Sequence, residues 1–189
     1  MTTAIAWIDG RWRTPESLAI PLNDRGLQLA DGLFETVLVR RGAPMLLEEH
    51  LQRWQASAEL LGLGAPPDRS MVSPLLTEAV QRSHSADADA VLRLNWSRGG
   101  AGRGIDQPGI GGERFWLTLE PFQPLFSTVS TVISRLEQRN ASSVLSRCKS
   151  FAYGQAIQAR REAQQQGTDD ALLRNTDGQL CCGTVANLL

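Results

Sequence analysis

Apolar and polar positions alternate over several short stretches and switch to spacings of three and four in others, which marks out strands and helices in turn. The opening AIAWIDGRW predicts two extended arms joined at Asp9-Gly10, a dipeptide that accepts the positive φ angles of a tight hairpin turn. LFETVLVR, from Leu33 to Arg40, is rich in branched and aromatic residues and predicts the first arm of a second hairpin, turning at Arg41-Gly42. Leu47, Leu51, Trp54, Ala58 and Leu61 then form one apolar stripe, an amphipathic helix that Gly62 ends. Pro66-Pro67 breaks the chain. Ser73 as N-cap, with Pro74 at the first helical position, predicts a further helix to about Ser83.

From Val91 the period falls to two, with Leu92, Leu94 and Trp96 on one face and Arg93, Asn95 and Ser97 on the other, a strand with one polar side. It runs into RGGAGRGIDQPGIGG, a glycine-rich loop whose backbone can approach a ligand closely, and returns as a strand from Phe115. The proline-flanked PFQP reads as a linker. The organisation expected is therefore a small α+β domain over residues 1–121, a linker at 122–124 and a second domain over 125–189. The second domain is predicted to hold a strand around Thr128 to Ser134, a helix from about Tyr153 to Gln166 stopped by Gly167, the strand DALLR, a turn at Asp177-Gly178 and a strand at QLCC. It ends on NLL, where a new strand is due. A sheet stopped there leaves an open edge and an uncovered face, so this domain is expected to be truncated.

With 189 residues, 42% of them hydrophobic, the chain can bury a sizeable core and disorder is excluded as the default. A net charge of −1 gives no general reason to expect nucleic acid or an anionic membrane, and no apolar run approaches the roughly 20 residues of a spanning helix. Without a secretory pattern in MTTAIAWIDGRW, a cytoplasmic location is expected. The 19 basic residues are 18 arginines and one lysine, Lys149. The only tyrosine, Tyr153, follows four residues later, which on a helix would put both on one face. Cys148, Cys181 and Cys182 lack the spacing of a zinc or dithiol site, so no metal is expected.

A single lysine in a weakly charged setting invites Schiff-base chemistry, because burial frees the amine to attack a carbonyl. Pyridoxal phosphate needs such a lysine, a cation for its phosphate, a donor to its phenolic oxygen and a partner for its ring nitrogen. Lys149, Arg53 among other arginines, and Tyr153 meet the first three, and composition cannot choose among 18 arginines. The segments PLNDRGLQLADGLFETV, HLQRW, SRGGAGRG, CKSFAY and GTVANL, in that order, resemble the class IV pyridoxal-phosphate aminotransferase family over essentially the whole chain. DRG, DG and FET are shared across that family, whereas the SRG…GRG loop tilts the resemblance toward its aminodeoxychorismate lyases.

That resemblance implies the family's fold and a set of roles. Lys149 would carry pyridoxal phosphate covalently and move the substrate's Cα proton, Arg53 of the HxxR pattern would hold the phosphate, and Tyr153 would donate to the phenolic oxygen. Arg98 of SRG would clamp a substrate carboxylate with its planar fork. The implied substrate is 4-amino-4-deoxychorismate, released as p-aminobenzoate and pyruvate for folate synthesis, and the implied assembly is a homodimer. The alternatives are an aminotransferase for branched-chain or D-amino acids and an inactive relative kept as a binding or dimerisation module. RGG alone is poor support for RNA binding, so no nucleic-acid or membrane partner is expected. One position departs from the family pattern: where it has a glutamate for the ring nitrogen, opening E-x-x-x-x-N, this chain has Cys182, then GTVA and Asn187. A thiol is a weak partner for a pyridinium, and losing one member of a buried ion pair costs roughly 3–5 kcal/mol.

Overall fold

Both predicted hairpins form, because their turn residues accept left-handed backbone. Asp9 and Gly10, at φ of 50° and 77°, join β1 (Ile5–Ile8) to β2 (Arg11–Arg13). Arg41 and Gly42, at 48° and 77°, join β3 (Gly32–Arg40) to β4 (Ala43–Pro44). The computed structural model describes residues 2–100, 104–106 and 109–188. It divides the chain into two units, one of Met1–Pro124 with Lys149–Phe151 and the other of Leu125–Cys148 with Ala152–Leu189.

In the first unit β5 (Asp89–Ser97) and β6 (Arg114–Pro121) complete an antiparallel six-stranded sheet in the order β2-β1-β6-β5-β3-β4. β3 and β5 pair without interruption from Gly32 opposite Ser97 to Arg40 opposite Asp89. The strand period sets the faces: Leu33, Glu35, Val37 and Val39 point one way, and all four are at most 1% exposed. α2 (Leu47–Leu60) packs on β3, burying Leu47, Leu51, Trp54 and Ala58, the stripe its spacing predicts. The Trp54 ring meets Phe115, and Phe115 meets Trp7, at centroid distances of 6.0 and 5.5 Å. α3 begins five residues earlier than Ser73-Pro74 suggests, running Arg69–Ser83 with Pro74 inside it. The Asp68 carboxylate caps it by accepting from the Met71 N–H, and an acid one turn upstream outranks serine as the start signal.

In the second unit β7 (Thr131–Arg139) and β8 (Asp170–Asn175) run parallel, and β9 (Leu180–Gly183) pairs antiparallel with β8. α4 (Gly154–Gln165) packs on β7 and β8, where Ala159, Ala163, Ala171 and Leu173 form a core closed by Val132 and Cys182. β7 runs five residues beyond the predicted Ser134. Its polar stretch slips out of register between Ile133 and Gln138, and Glu162 of α4 accepts the N–H groups of Arg135 and Leu136 thus freed. Those hydrogen bonds and one from the Ser134 hydroxyl hold the Glu162 carboxyl below its ordinary pKa. No helix among the described residues is long and apolar enough to cross a membrane, and no group of three or more His, Cys, Asp or Glu there could hold a metal ion.

Candidate functional site

Lys149 does not lie on a helix. Lys149–Phe151 runs extended against the start of β3: the Phe34 N–H donates to Lys149 O, Phe151 N–H donates to Gly32 O, and Ser150 bridges Leu33. The pairing of Lys149 and Tyr153 on one helical face is therefore corrected, since α4 starts only at Gly154 and Tyr153 is its N-cap. This short strand sets the lysine against an aromatic floor. Lys149 Nζ stands 4.5 Å from the centre of the Phe34 ring, and the Arg93 guanidinium carbon 3.6 Å from the same ring. Phe151 packs on Phe34 and Trp116 at 6.4 and 5.7 Å. Gly32 is required here because a methyl on it would meet Phe151 Cε2 at 2.3 Å and the Trp96 carbonyl at 2.8 Å.

The next residue of β3 points the other way and holds the second cation. Glu35, 1% exposed, accepts from Arg53 Nε at 2.7 Å and Arg53 Nη2 at 2.5 Å, while His50 Nδ1 lies 2.7 Å from its Oε2. Arg53 and His50 lie three residues apart on α2, one helical face. Burial works to raise the Glu35 pKa, but the hydrogen bonds and charges of Arg53 and His50 outweigh it and hold the carboxyl below its ordinary value. Arg53 keeps about half its side chain (49%) in solvent. Its fork is thus fixed by Glu35 while about half of the side chain meets solvent.

Arg98 is placed differently. It is 6% exposed, and Nε donates to Asp31 at 2.7 Å while Nη1 and Nη2 donate to Gly62 O and Leu61 O at the end of α2. Asp31 also receives Arg25 Nε, and Arg25 Nη1 reaches the carbonyls of Gly104 and Asp106. Asp24 caps the short α1 (Arg25–Leu29) at Gly26 and accepts the Ser97 hydroxyl. The DRG, DG and SRG segments therefore form one knot that anchors the glycine-rich loop. Gly99, at φ 79°, is part of it, since a Cβ there would fall 1.6 Å from the Gly112 carbonyl. Residues 101–103 and 107–108, including two residues of the GRG pattern, lie outside the described residues.

The sequence profile of the amino-transferase class IV family matches residues 32–189, which include β3, α2 and Lys149. The chain belongs to that family. Its class IV relatives include the bifunctional aminodeoxychorismate lyase / D-amino acid transaminase of Mycobacterium tuberculosis, 27% identical over 95% of this chain and 63% of its own length. The aminodeoxychorismate lyase of Bacillus subtilis is 24% identical over 96% of this chain and 62% of its own length. A class IV structure, a hypothetical aminotransferase from Mycobacterium tuberculosis in its PLP-bound form, superposes with a TM-score of 0.78 at 27% identity, covering 96% of this chain and 66% of its own. The chain thus spans about 63% of the length of the curated relatives it matches.

Tyr153 and Cys182 belong to the second unit of this class IV chain. Tyr153 lines an open groove with Ala156, Ile157, Arg160, Thr184 and Val185. Cys182, on β9 opposite Leu173, is half-buried against the α4 core. Sequence reasoning missed Glu35, His50 and Asp31. Glu35 carried a usable signal, because it occupies the phase that Leu33, Val37 and Val39 reserve for the core, where a carboxylate requires a cation.

Proposed function

We propose that this chain serves a pyridoxal-phosphate-dependent enzyme that converts 4-amino-4-deoxychorismate to p-aminobenzoate and pyruvate. The observation that carries the reading is the sole lysine, held by backbone pairing beside Phe34 in a chain that the class IV family profile matches. These residues fit the cofactor's needs in the first unit: Lys149 for the covalent link and Arg53 for the phosphate. Arg93 and Lys149, both at the Phe34 ring, bring positive charge together, which suits an anionic cofactor and a carboxylated substrate. Tyr153 would supply the hydroxyl to the phenolic oxygen, and Cys182 would stand where the ring nitrogen seeks a partner. When bound, the cofactor supplies an electron sink for charge developing at the substrate Cα.

Lys149 would take the substrate's Cα proton on Nζ, and the Phe34 face beside it provides an apolar wall that limits hydration of the amine. Glu35 would position Arg53 through its two-point grip on the guanidinium. Arg98 keeps the glycine-rich loop in place through Asp31 and the end of α2, a positioning role in preference to the carboxylate clamp. The bifunctional relative favours a second reading, transamination of D-amino acids at the same residues. The homodimer and a cytoplasmic setting are part of the proposal.

Borohydride reduction of protein mixed with pyridoxal phosphate should label one internal peptide, that containing Cys148-Lys149-Ser150. Label confined to the N-terminal amine would remove Lys149 from the site. Pyruvate release from aminodeoxychorismate with no amino acceptor present separates lyase from transaminase. Cys182→Glu tests the fourth position. If Cys182 serves the ring nitrogen, a carboxylate there should strengthen proton abstraction, and transamination should gain more than elimination, because aromatisation already drives the latter. A fall in melting temperature without gain in either activity would mean that Cys182 only packs on the α4 core.

A further inference from the structure

Successive side chains of a regular strand point to opposite faces, yet Cys181 and Cys182 of β9 bring their sulfurs within 3.8 Å of each other. The ladder explains it. Leu172 pairs with Gly183 and Leu173 with Cys182, but Arg174 pairs with Leu180, so Cys181 is an extra residue with no partner across the ladder. Such a bulge turns two neighbouring side chains toward the same side of a strand. Sulfurs 3.8 Å apart on one side of the strand need only a small side-chain rotation to bond to a single thiophilic centre. Cys181 is exposed and Cys182 half-buried, which leaves the pair open to solution on one side. The Cys181 thiol also donates to the Leu173 carbonyl, which fixes its rotamer.

We infer that Cys181 and Cys182 form a two-thiolate chelating site for a soft, thiophilic centre of the trivalent arsenical class. A trivalent arsenoxide needs only two protein sulfurs, and these two are the ones present: no third His, Cys, Asp or Glu completes a metal cluster among the described residues. The step balances without an oxidant. Two As–S bonds form, the As–O bond of the oxide breaks, and the two thiol protons leave with the oxygen as water. The arsenic stays trivalent. Burial and the adjacent Cys182 push the Cys181 thiol up, more than the Arg139 charge brings it down, so Cys181 alone reacts sluggishly with a one-point alkylating agent. Chelation offsets this because the second bond forms within the same molecule. The inference rests on the β9 bulge and stands whether or not the proposed reaction does, although the two readings share Cys182.

The test is intact-mass spectrometry of the full chain, reduced with a phosphine and exposed to one equivalent of phenylarsine oxide. A single adduct lacking the oxide oxygen is expected, on the tryptic peptide that starts at Asn175 and contains both cysteines. It should survive a large excess of a monothiol and be removed by a small excess of a dithiol. Cys181→Ala and Cys182→Ala should each render the adduct monothiol-labile, lowering retention at least tenfold, while Cys148→Ala keeps it. An adduct mapped to Cys148, or one that a monothiol strips from the unaltered chain, overturns the inference. Both of those readings need no variant, so they decide the matter even where a substitution disturbs folding.

Discussion

Lys149→Arg is expected to lower turnover by about 10⁴-fold and to leave the melting temperature within about 2 °C of the unaltered chain. The two effects separate because the lysine's chemistry and its packing use different properties. Chemistry needs an amine that can lose a proton and accept one. A guanidinium cannot do so at any working pH. Packing needs only a cation over the Phe34 ring, a contact worth about 0.5–1 kcal/mol at a partly exposed site, and arginine preserves it. The backbone pairing of Lys149–Phe151 with β3 is untouched by the substitution. The competing account, in which the lysine is only a solvated side chain, expects no loss of turnover. Activity retained in Lys149→Arg would place the reacting amine at the N-terminus, the only other primary amine of a chain with one lysine.

Elements announced by local chemistry were legible in the sequence. Asp9-Gly10 and Arg41-Gly42 fix their turns by backbone preference, and the α2 stripe is buried at the positions its spacing names. Features set by partners distant in the chain were not. α3 starts at Asp68 because a capping carboxylate outranks the Ser73-Pro74 signal, and β7 continues through Ser134–Gln138 because Glu162, on another element, accepts its freed N–H groups. The same divide runs through the site. Lys149 stood out as the sole lysine, but its extended placement depends on Gly32 leaving room for Phe151. Arg98 looked like a ligand clamp in isolation; only Asp31 and the end of α2 show that three of its nitrogens already donate within the fold. Cys182 was legible as a departure from the family pattern, whereas the bulge that joins it to Cys181 depends on pairing with β8.

Arg53→Ala is expected to destabilise the protein by about 3 kcal/mol at neutral pH, with a deficit that disappears on acidification. The cost arises at the partner. Glu35 is 1% exposed, so removal of Arg53 leaves a carboxylate in the core with two of its strongest hydrogen bonds gone and only His50 beside it. About 3 kcal/mol is the lower end for breaking a buried pair, and it applies here because Arg53 itself is half in solvent and water can enter the space it vacates. The pH dependence follows from the direction of the Glu35 shift. In the unaltered chain the folded pKa lies below 4.5, so the group contributes stability above pH 4.5 and loses it as pH falls through the lowered value. In Arg53→Ala burial still raises the pKa while the largest lowering influences are gone, so the folded value should exceed 4.5. A raised carboxyl is at no disadvantage below both values and weakens the fold as pH rises through them, so the two curves should converge only below the lowered Glu35 value of the unaltered chain and separate toward pH 7. Arg53→Lys should recover part of the stability by restoring charge but not the two-point grip that aims the fork. Urea unfolding of all three proteins at several pH values measures this directly. A deficit that stays constant across that range would mean that Arg53 stabilises the fold by packing its stem on α2, and that the Glu35 pair contributes little.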